Sequence, residues 1–159
     1  MHVVLVEPEI PPNTGNIARL CAATRTVLHL IEPLGFRLDD ASLRRAGMDY
    51  WRHVDWHRWP NWAAFGAGLG HPHPHRQTWF VEAGGPIRYD AVKFGPDDCL
   101  VFGRETAGLP RDWLEADPGH WLRLPMFNPA ARSLNLASCV AVVLFEALRQ
   151  QGFAKETAP

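Results

Sequence analysis

Lysine is nearly absent from this chain. Lys93 and Lys155 stand against fourteen arginines, and the formal net charge is −1. Lacking a cationic excess, the sequence excludes a histone-like or ribosomal-type binder, whose phosphate affinity rests on bulk positive charge. Cysteine is sparse too. Cys21, Cys99 and Cys139 are odd in number and widely spaced, which argues against a disulfide framework or zinc knuckle and for a reducing, cytoplasmic setting. No apolar run approaches the roughly 20 residues of a membrane span, and Met1-His2-Val3-Val4-Leu5-Val6-Glu7 has neither the basic nor the long apolar region of a signal peptide. Classical nucleotide motifs are missing as well. There is no G-x-x-x-x-G-K-[ST], and Gly66-Ala67-Gly68-Leu69-Gly70 has the wrong spacing for G-x-G-x-x-G and follows no strand. No Ser or Cys sits in a nucleophile elbow. His71-Pro72-His73-Pro74-His75 has no Cys or acid beside it, so it reads as a solvated loop and no metal is expected.

What is present is an α/β rhythm. At 159 residues and 47% apolar content, one compact domain over 1–152 is expected, with 153–159 as a flexible tail. Val3–Val6, Val27–Ile31, Thr78–Val81, Cys99–Phe102 and Trp121–Leu124 read as strands, with a minor strand over His53–Trp56. Helical spacing follows Asn13-Thr14-Gly15-Asn16, appears at Trp62–Phe65, and is strongest from Leu136 to about Gln151. Alternation of this kind predicts a mostly parallel sheet flanked by helices. Disorder is expected at His71–Arg76 and after Gly152.

Ligands of open α/β sheets bind beyond the carboxyl ends of the strands. Three loops there carry glycine, amide, hydroxyl and charge: Pro11 to Arg19, Phe102 to Pro110, and Leu124 to Leu136. Each has a bland reading beside the functional one. Asn13 and Asn16 serve as caps, Gly108-Leu109-Pro110 as a turn, and Ser133 and Asn135 as the cap of the last helix. Their coincidence at three strand ends in one chain favours a site.

Asn13-Thr14-Gly15-Asn16-x-x-Arg19, Phe102-Gly103-x-Glu105-x-x-Gly108-Leu109-Pro110 and Leu124-Pro125-Met126 through Ser133-Leu134-Asn135-Leu136 resemble the three signature motifs of the SPOUT RNA methyltransferases. Glu7 to Asn16, with Arg44-Arg45-Ala46-Gly47-Met48-Asp49-Tyr50, resembles the members that 2′-O-methylate the wobble cytidine or uridine of the tRNA anticodon. The resemblance spans residues 2 to about 152. It implies an α/β fold whose C-terminal part forms a trefoil knot, a rare exception to un-knotted topology. It also implies a homodimer, S-adenosylmethionine as cofactor and the tRNA anticodon stem-loop as substrate. By position, Val81, Gly103, Leu124 and Ser133 would line the cofactor pocket, and Asn16, Arg19, Glu105, Ser133 and Asn135 would form the catalytic neighbourhood. The sequence departs from many relatives at Arg104, Ala107 and Ala131, near the RNA-facing loops.

Arginine supplies a planar fork suited to phosphate, although a GC-rich coding sequence yields the same bias. Arg37, Arg44, Arg45, Arg52 and Arg58 interleave with Tyr50, Trp51, Trp56 and Trp59. Arg44 and Arg45 are the candidate tRNA contacts, while packing is the expected role of most of the tryptophans. Two rival readings remain: a SPOUT methyltransferase acting on another RNA site, and a catalytically silent RNA-binding dimer.

Overall fold

The structure, a computed structural model, describes residues 1–38, 49–69, 75–131, 133–154 and 156–157. Arg44, Arg45, Arg132 and most of the His71–Arg76 stretch lie outside the described residues. Seven strands form one sheet: β1 (His2–Val6), β2 (Val27–Ile31), β3 (Trp56–Trp59), β4 (Thr78–Val81), β5 (Ile87–Arg88), β6 (Cys99–Phe102) and β7 (Trp121–Arg123). Their spatial order is β3-β2-β1-β6-β4-β7-β5, and every pairing is parallel. Each of the two late strands inserts between earlier ones, β6 between β1 and β4, and β7 between β4 and β5. Among the described residues four helices accompany them: α1 (Pro11–Thr24), α2 (Trp62–Gly68), α3 (Arg111–Ala116) and α4 (Leu136–Gln150).

Parallel strands covered on both faces read as continuous apolar runs, and β1 shows why. Val3 and Leu5 belong to a core with Ile17, Ala18 and Cys21 of α1 and Val140, Val143, Leu144 and Ala147 of α4. Val4 and Val6 point the other way, toward Phe65 of α2 and Leu114 of α3. Alternate residues of one strand therefore hold two layers of helices, as the two-residue side-chain period requires. The long helices cover the aliphatic face. The short ones are held among rings, with Trp62 4.7 Å from Trp113 and 5.1 Å from Phe65.

Three boundaries differ from expectation. α1 begins at Pro11, upstream of the amides expected to precede it, because prolines fit the first helical turn where no N–H partner is needed. His53–Trp56 is not the minor strand. Asp49–His53 forms a 3₁₀ turn, and the strand is Trp56–Trp59, set by its register of Leu28 with Trp56 and Ile31 with Trp59. α2 continues through Gly68 past Phe65, started by Asn61, whose side chain accepts from Ala64 N at 2.9 Å. The tryptophans pack as expected: Trp51 lies 4.5 Å from Trp56, and Trp59 meets Phe65 edge-on and His29 at a tilt. Arg58 is paired with Glu32.

Candidate functional site

Beyond the carboxyl ends of β4, β6 and β7 lies a cleft of about 1050 Å³. Val81 ends β4, Gly103 follows β6, and Leu124 follows β7; all three line it, together with Glu105, Ser133 and Asn135. All four residues expected in the cofactor pocket thus meet in one cavity. Asn16 and Arg19 do not line it. They lie on the exposed side of α1, in an open groove of about 470 Å³ shared with Ser138 and Ala141 of α4. Asn135 borders both spaces.

The wall contributed by residues 103–109 depends on backbone proximity. A Cβ on Gly103 would overlap the backbone of Gly108 and Leu109. Arg104 and Gly108 exchange backbone hydrogen bonds, N to O, at 3.2 and 2.9 Å. Gly108 closes this tight loop at φ +68°, a left-handed conformation that glycine adopts readily. Glu82, immediately after β4, accepts from Leu109 N at 3.0 Å.

Glu105 has a definite structural task. Its carboxylate accepts from Glu9 N (2.8 Å), Ile10 N (3.2 Å) and Asn13 Nδ2 (3.0 Å). The N-cap residue of α1, Ile10, has no side chain able to cap, so a carboxylate 95 positions away in sequence supplies negative charge to that N-terminus, where the helix dipole favours it. Asn13, only 5% exposed, passes the connection on: its Oδ1 accepts from Asn135 Nδ2 at 2.8 Å. Asn135 in turn caps α4, its Oδ1 accepting from Ala137 N at 2.9 Å and Ser138 N at 3.4 Å. One chain of hydrogen bonds thereby joins two helix N-termini and separates cleft from groove.

Further ties fix the first loop to the second. Glu9 accepts from Thr106 N at 3.0 Å and Thr106 Oγ1 at 2.7 Å, and Glu7, held at φ +52°, pairs with Arg104. Such backbone persists where its surroundings over-determine it. On the opposite wall Arg123 donates to the carbonyls of Gly85 (2.8 Å) and Pro86 (2.6 Å). Cys139 also lines the cleft, but burial, with the Glu82 carboxylate assisting, pushes its thiol pKa up, away from the thiolate that a nucleophile requires.

Asn13 and Glu9 are legible in the sequence as parts of the first motif but not as hydrogen-bond partners of the second loop, and Glu82 and Arg123 carry no expected site role. A usable signal existed: an acid stands directly after β1, β2 and β4, at Glu7, Glu32 and Glu82. Among the described residues no group of three or more His, Cys, Asp or Glu is placed to hold a metal ion, and no helix is long and apolar enough to cross a membrane.

An all-parallel open sheet with a glycine-walled cleft at its carboxyl ends is the architecture of a small-ligand α/β enzyme, and the SpoU rRNA methylase family model matches residues 1–145: the chain belongs to that family. Within it, the chain is 54% identical over 96% of its length, and 96% of the relative's, to a protein of Burkholderia ambifaria named tRNA (cytidine(34)-2′-O)-methyltransferase. A solved structure described as giving insight into 2-OH methylation of C/U34 on tRNA superposes with a TM-score of 0.86, at 43% identity and 96% coverage of both chains. An AdoMet-bound rRNA methyltransferase from Sinorhizobium meliloti superposes with a TM-score of 0.77 at 26% identity, covering 93% of this chain and 55% of that one.

Proposed function

We propose that this chain transfers the methyl group of S-adenosylmethionine to the 2′-hydroxyl of the wobble nucleotide, cytidine or uridine 34, of tRNA. The observation that carries the reading is the single cleft uniting Val81, Gly103, Leu124 and Ser133, joined through Asn135 to the groove of Asn16 and Arg19. Relatives named for this reaction match essentially the whole chain.

The cleft suits the cofactor. Its volume is close to the ~1,000 Å³ upper end for small-molecule sites, and apolar walls with a few polar groups are what an adenosine requires. Val81, Leu124 and Leu136 supply apolar surface, and the backbone around Gly103 and Gly108 supplies close-lying donors and acceptors. When bound, S-adenosylmethionine supplies an electrophilic methyl carbon on a sulfonium. The residues of the chain have to align the ribose hydroxyl with that carbon, since positioning accounts for much of the acceleration in such displacements. In this reading Arg19 grips the substrate phosphate and orients the ribose. A guanidinium holds its proton firmly, so it is no plain base for the proton that the hydroxyl loses. Glu105 and Asn135 hold the two helices that carry Asn16, Arg19 and the cleft wall, while Ser133 lies where cofactor and acceptor meet.

Four parts of the reading extend beyond the cleft. The insertion of β6 and β7 between earlier strands is compatible with a C-terminal trefoil knot within one domain over 1–152, leaving 153–159 as a tail. Val142 and Phe145 on the outer side of α4 give an apolar face for a homodimer. Arg44 and Arg45 would reach the anticodon stem-loop. The setting is cytoplasmic, where tRNA and reduced cysteines coexist.

The test is incubation of the purified protein with methyl-labelled cofactor and unmodified tRNAs, followed by mapping of the labelled nucleoside. Label at the 2′-oxygen of nucleotide 34 is expected. Label elsewhere would replace the wobble assignment with another RNA site, and cofactor binding without transfer would favour a silent RNA-binding dimer.

A further inference from the structure

Seven large apolar side chains are exposed among the described residues, and four of them, Ile10, Met126, Phe127 and Leu134, belong to the segments around the cleft. Phe127 stands apart. It is 94% exposed, against 40% to 44% for the other three. Its neighbours Met126 and Asn128 both line the cleft, so Phe127 sits on the rim between them. The loop is built to hold the ring outward. Pro125 and Pro129 restrict the backbone on either side, and directly after Phe127 the chain turns back, Asn128 Oδ1 accepting from Ala130 N at 2.9 Å and Asn128 O from Ala131 N at 3.0 Å. Nothing in the methyl-transfer geometry above uses this ring.

The charges nearby indicate what it meets. Among the described residues two guanidinium groups line the cleft, and both are engaged by the protein: Arg104 by Glu7, and Arg123 by the carbonyls of Gly85 and Pro86. Glu82 and Glu105 add negative charge. Among the described residues of this rim little charge is left to attract phosphate, and an RNA strand there gains from a neutral contact. Unpaired bases commonly find one by stacking on an aromatic side chain, which is indifferent to charge. We propose that Phe127 is a stacking platform for an unpaired nucleobase next to the methylated nucleotide, and that it sets affinity for the RNA without touching the cofactor. This rests on the RNA methyl-transfer reading, and it deepens that reading by naming a specificity-determining side chain.

The experiment compares wild type, Phe127→Ala and Phe127→Trp on an anticodon stem-loop RNA. Phe127→Ala should raise the KM for RNA about tenfold, within the range seen for loss of one stacked base, with kcat at saturating RNA and the KM for S-adenosylmethionine unchanged. Phe127→Trp should restore the KM, and its fluorescence should be quenched by the stem-loop, beyond any quenching of the seven native tryptophans, but not by fully paired RNA. An unchanged KM for RNA in Phe127→Ala overturns the proposal. So does a rise confined to the cofactor KM, which would make the ring a cover for the cofactor, or a change in sedimentation, which would make it a contact between copies. If wild type methylates no RNA at all, the parent reading has failed, and Phe127→Trp quenching by unpaired RNA alone decides whether the ring stacks bases.

Discussion

At the carboxyl end of the sheet Glu105 gathers three N–H groups beside an open cleft; at the amino end Asp98 gathers three and is itself sealed from solvent. Asp98, fully buried, accepts from Gln77 N, Trp79 Nε1 and Gly95 N, each at 2.8 Å. The amino terminus of Met1 donates to Pro96 O, and His2 N donates to Asp98 O at 2.9 Å. Farther along the same sheet Trp59 Nε1 donates to His29 Nδ1, and His29 Nε2 lies 3.0 Å from His2 Nδ1. Each carboxylate takes two backbone donors and one side-chain donor, yet the Asp98 side chain reaches donors up to 21 positions away, whereas Glu105 reaches donors 92 to 96 positions away. Carboxylate hydrogen bonding at one end stabilises the fold. At the other it aims helices around an open space, and catalysis needs that space.

This contrast can be broken from either side. Asp98→Ala leaves one buried and two partly buried donors unmet, and at about 1–3 kcal/mol for each unsatisfied group the unfolding free energy should fall by about 4 kcal/mol. Denaturant titration reads that loss, while kcat per folded molecule stays near wild type; a large drop in kcat would mean that the amino end also shapes the site. Arg19→Ala is the converse. Turnover should fall by about 10²-fold, the scale of lost substrate alignment, with melting temperature and cofactor affinity unaltered. Arg19→Lys should recover little if the bidentate fork matters, whereas near-normal turnover of Arg19→Ala removes both proposed roles of the residue.

Glu105→Gln tests whether the carboxyl end is a positioning device. Losing the charge at the N-terminus of α1, and one acceptor, should cost about 1–2 kcal/mol in stability. It should also raise the cofactor Kd and lower kcat together, because the same chain of hydrogen bonds borders both spaces. A double-mutant cycle with Asn13→Ala should show coupling of about 1 kcal/mol; strict additivity would uncouple the two spaces. A further effect concerns acid. Burial foremost, then His2, His57 and Arg76, lowers the pKa of His29 to about 3, and burial with the amino terminus and Arg76 lowers that of His2 to about 4, while Asp97 and Asp55 pull the latter upward. Below the ordinary pH of about 6.5 the unfolded chain takes up protons that the folded one refuses. Stability is therefore complete above pH 6.5 and declines as pH falls toward 4. Denaturation midpoints should follow that slope, and His29→Gln should flatten it.

Much of this was readable from residues alone. Val3–Val6 and Cys99–Phe102 are apolar runs bounded by breakers, and both became central strands. Asn135 before a 3.6-residue apolar period is a cap in sequence and in space. β3 was misplaced because Trp56–Trp59 has no apolar run of its own; only pairing to β2 selects it. The start of α1 at Pro11 was hidden because its cap comes from Glu105, a distant residue that no local pattern contains.

The sequence by itself determined the layers. Side-chain periods of two and 3.6, with Gly and Pro as stops, are local properties and survive without knowledge of neighbours. It also marked the three loops, because glycine, amide and charge at strand ends are visible in one dimension. Tertiary structure alone decided how those loops divide between a cleft and a groove, that Asn13 links them, and that Phe127 stands outward on the rim. Those outcomes depend on hydrogen bonds and packing between residues up to 122 positions apart, and the closure of such long loops is specified by the whole fold and by no segment of it.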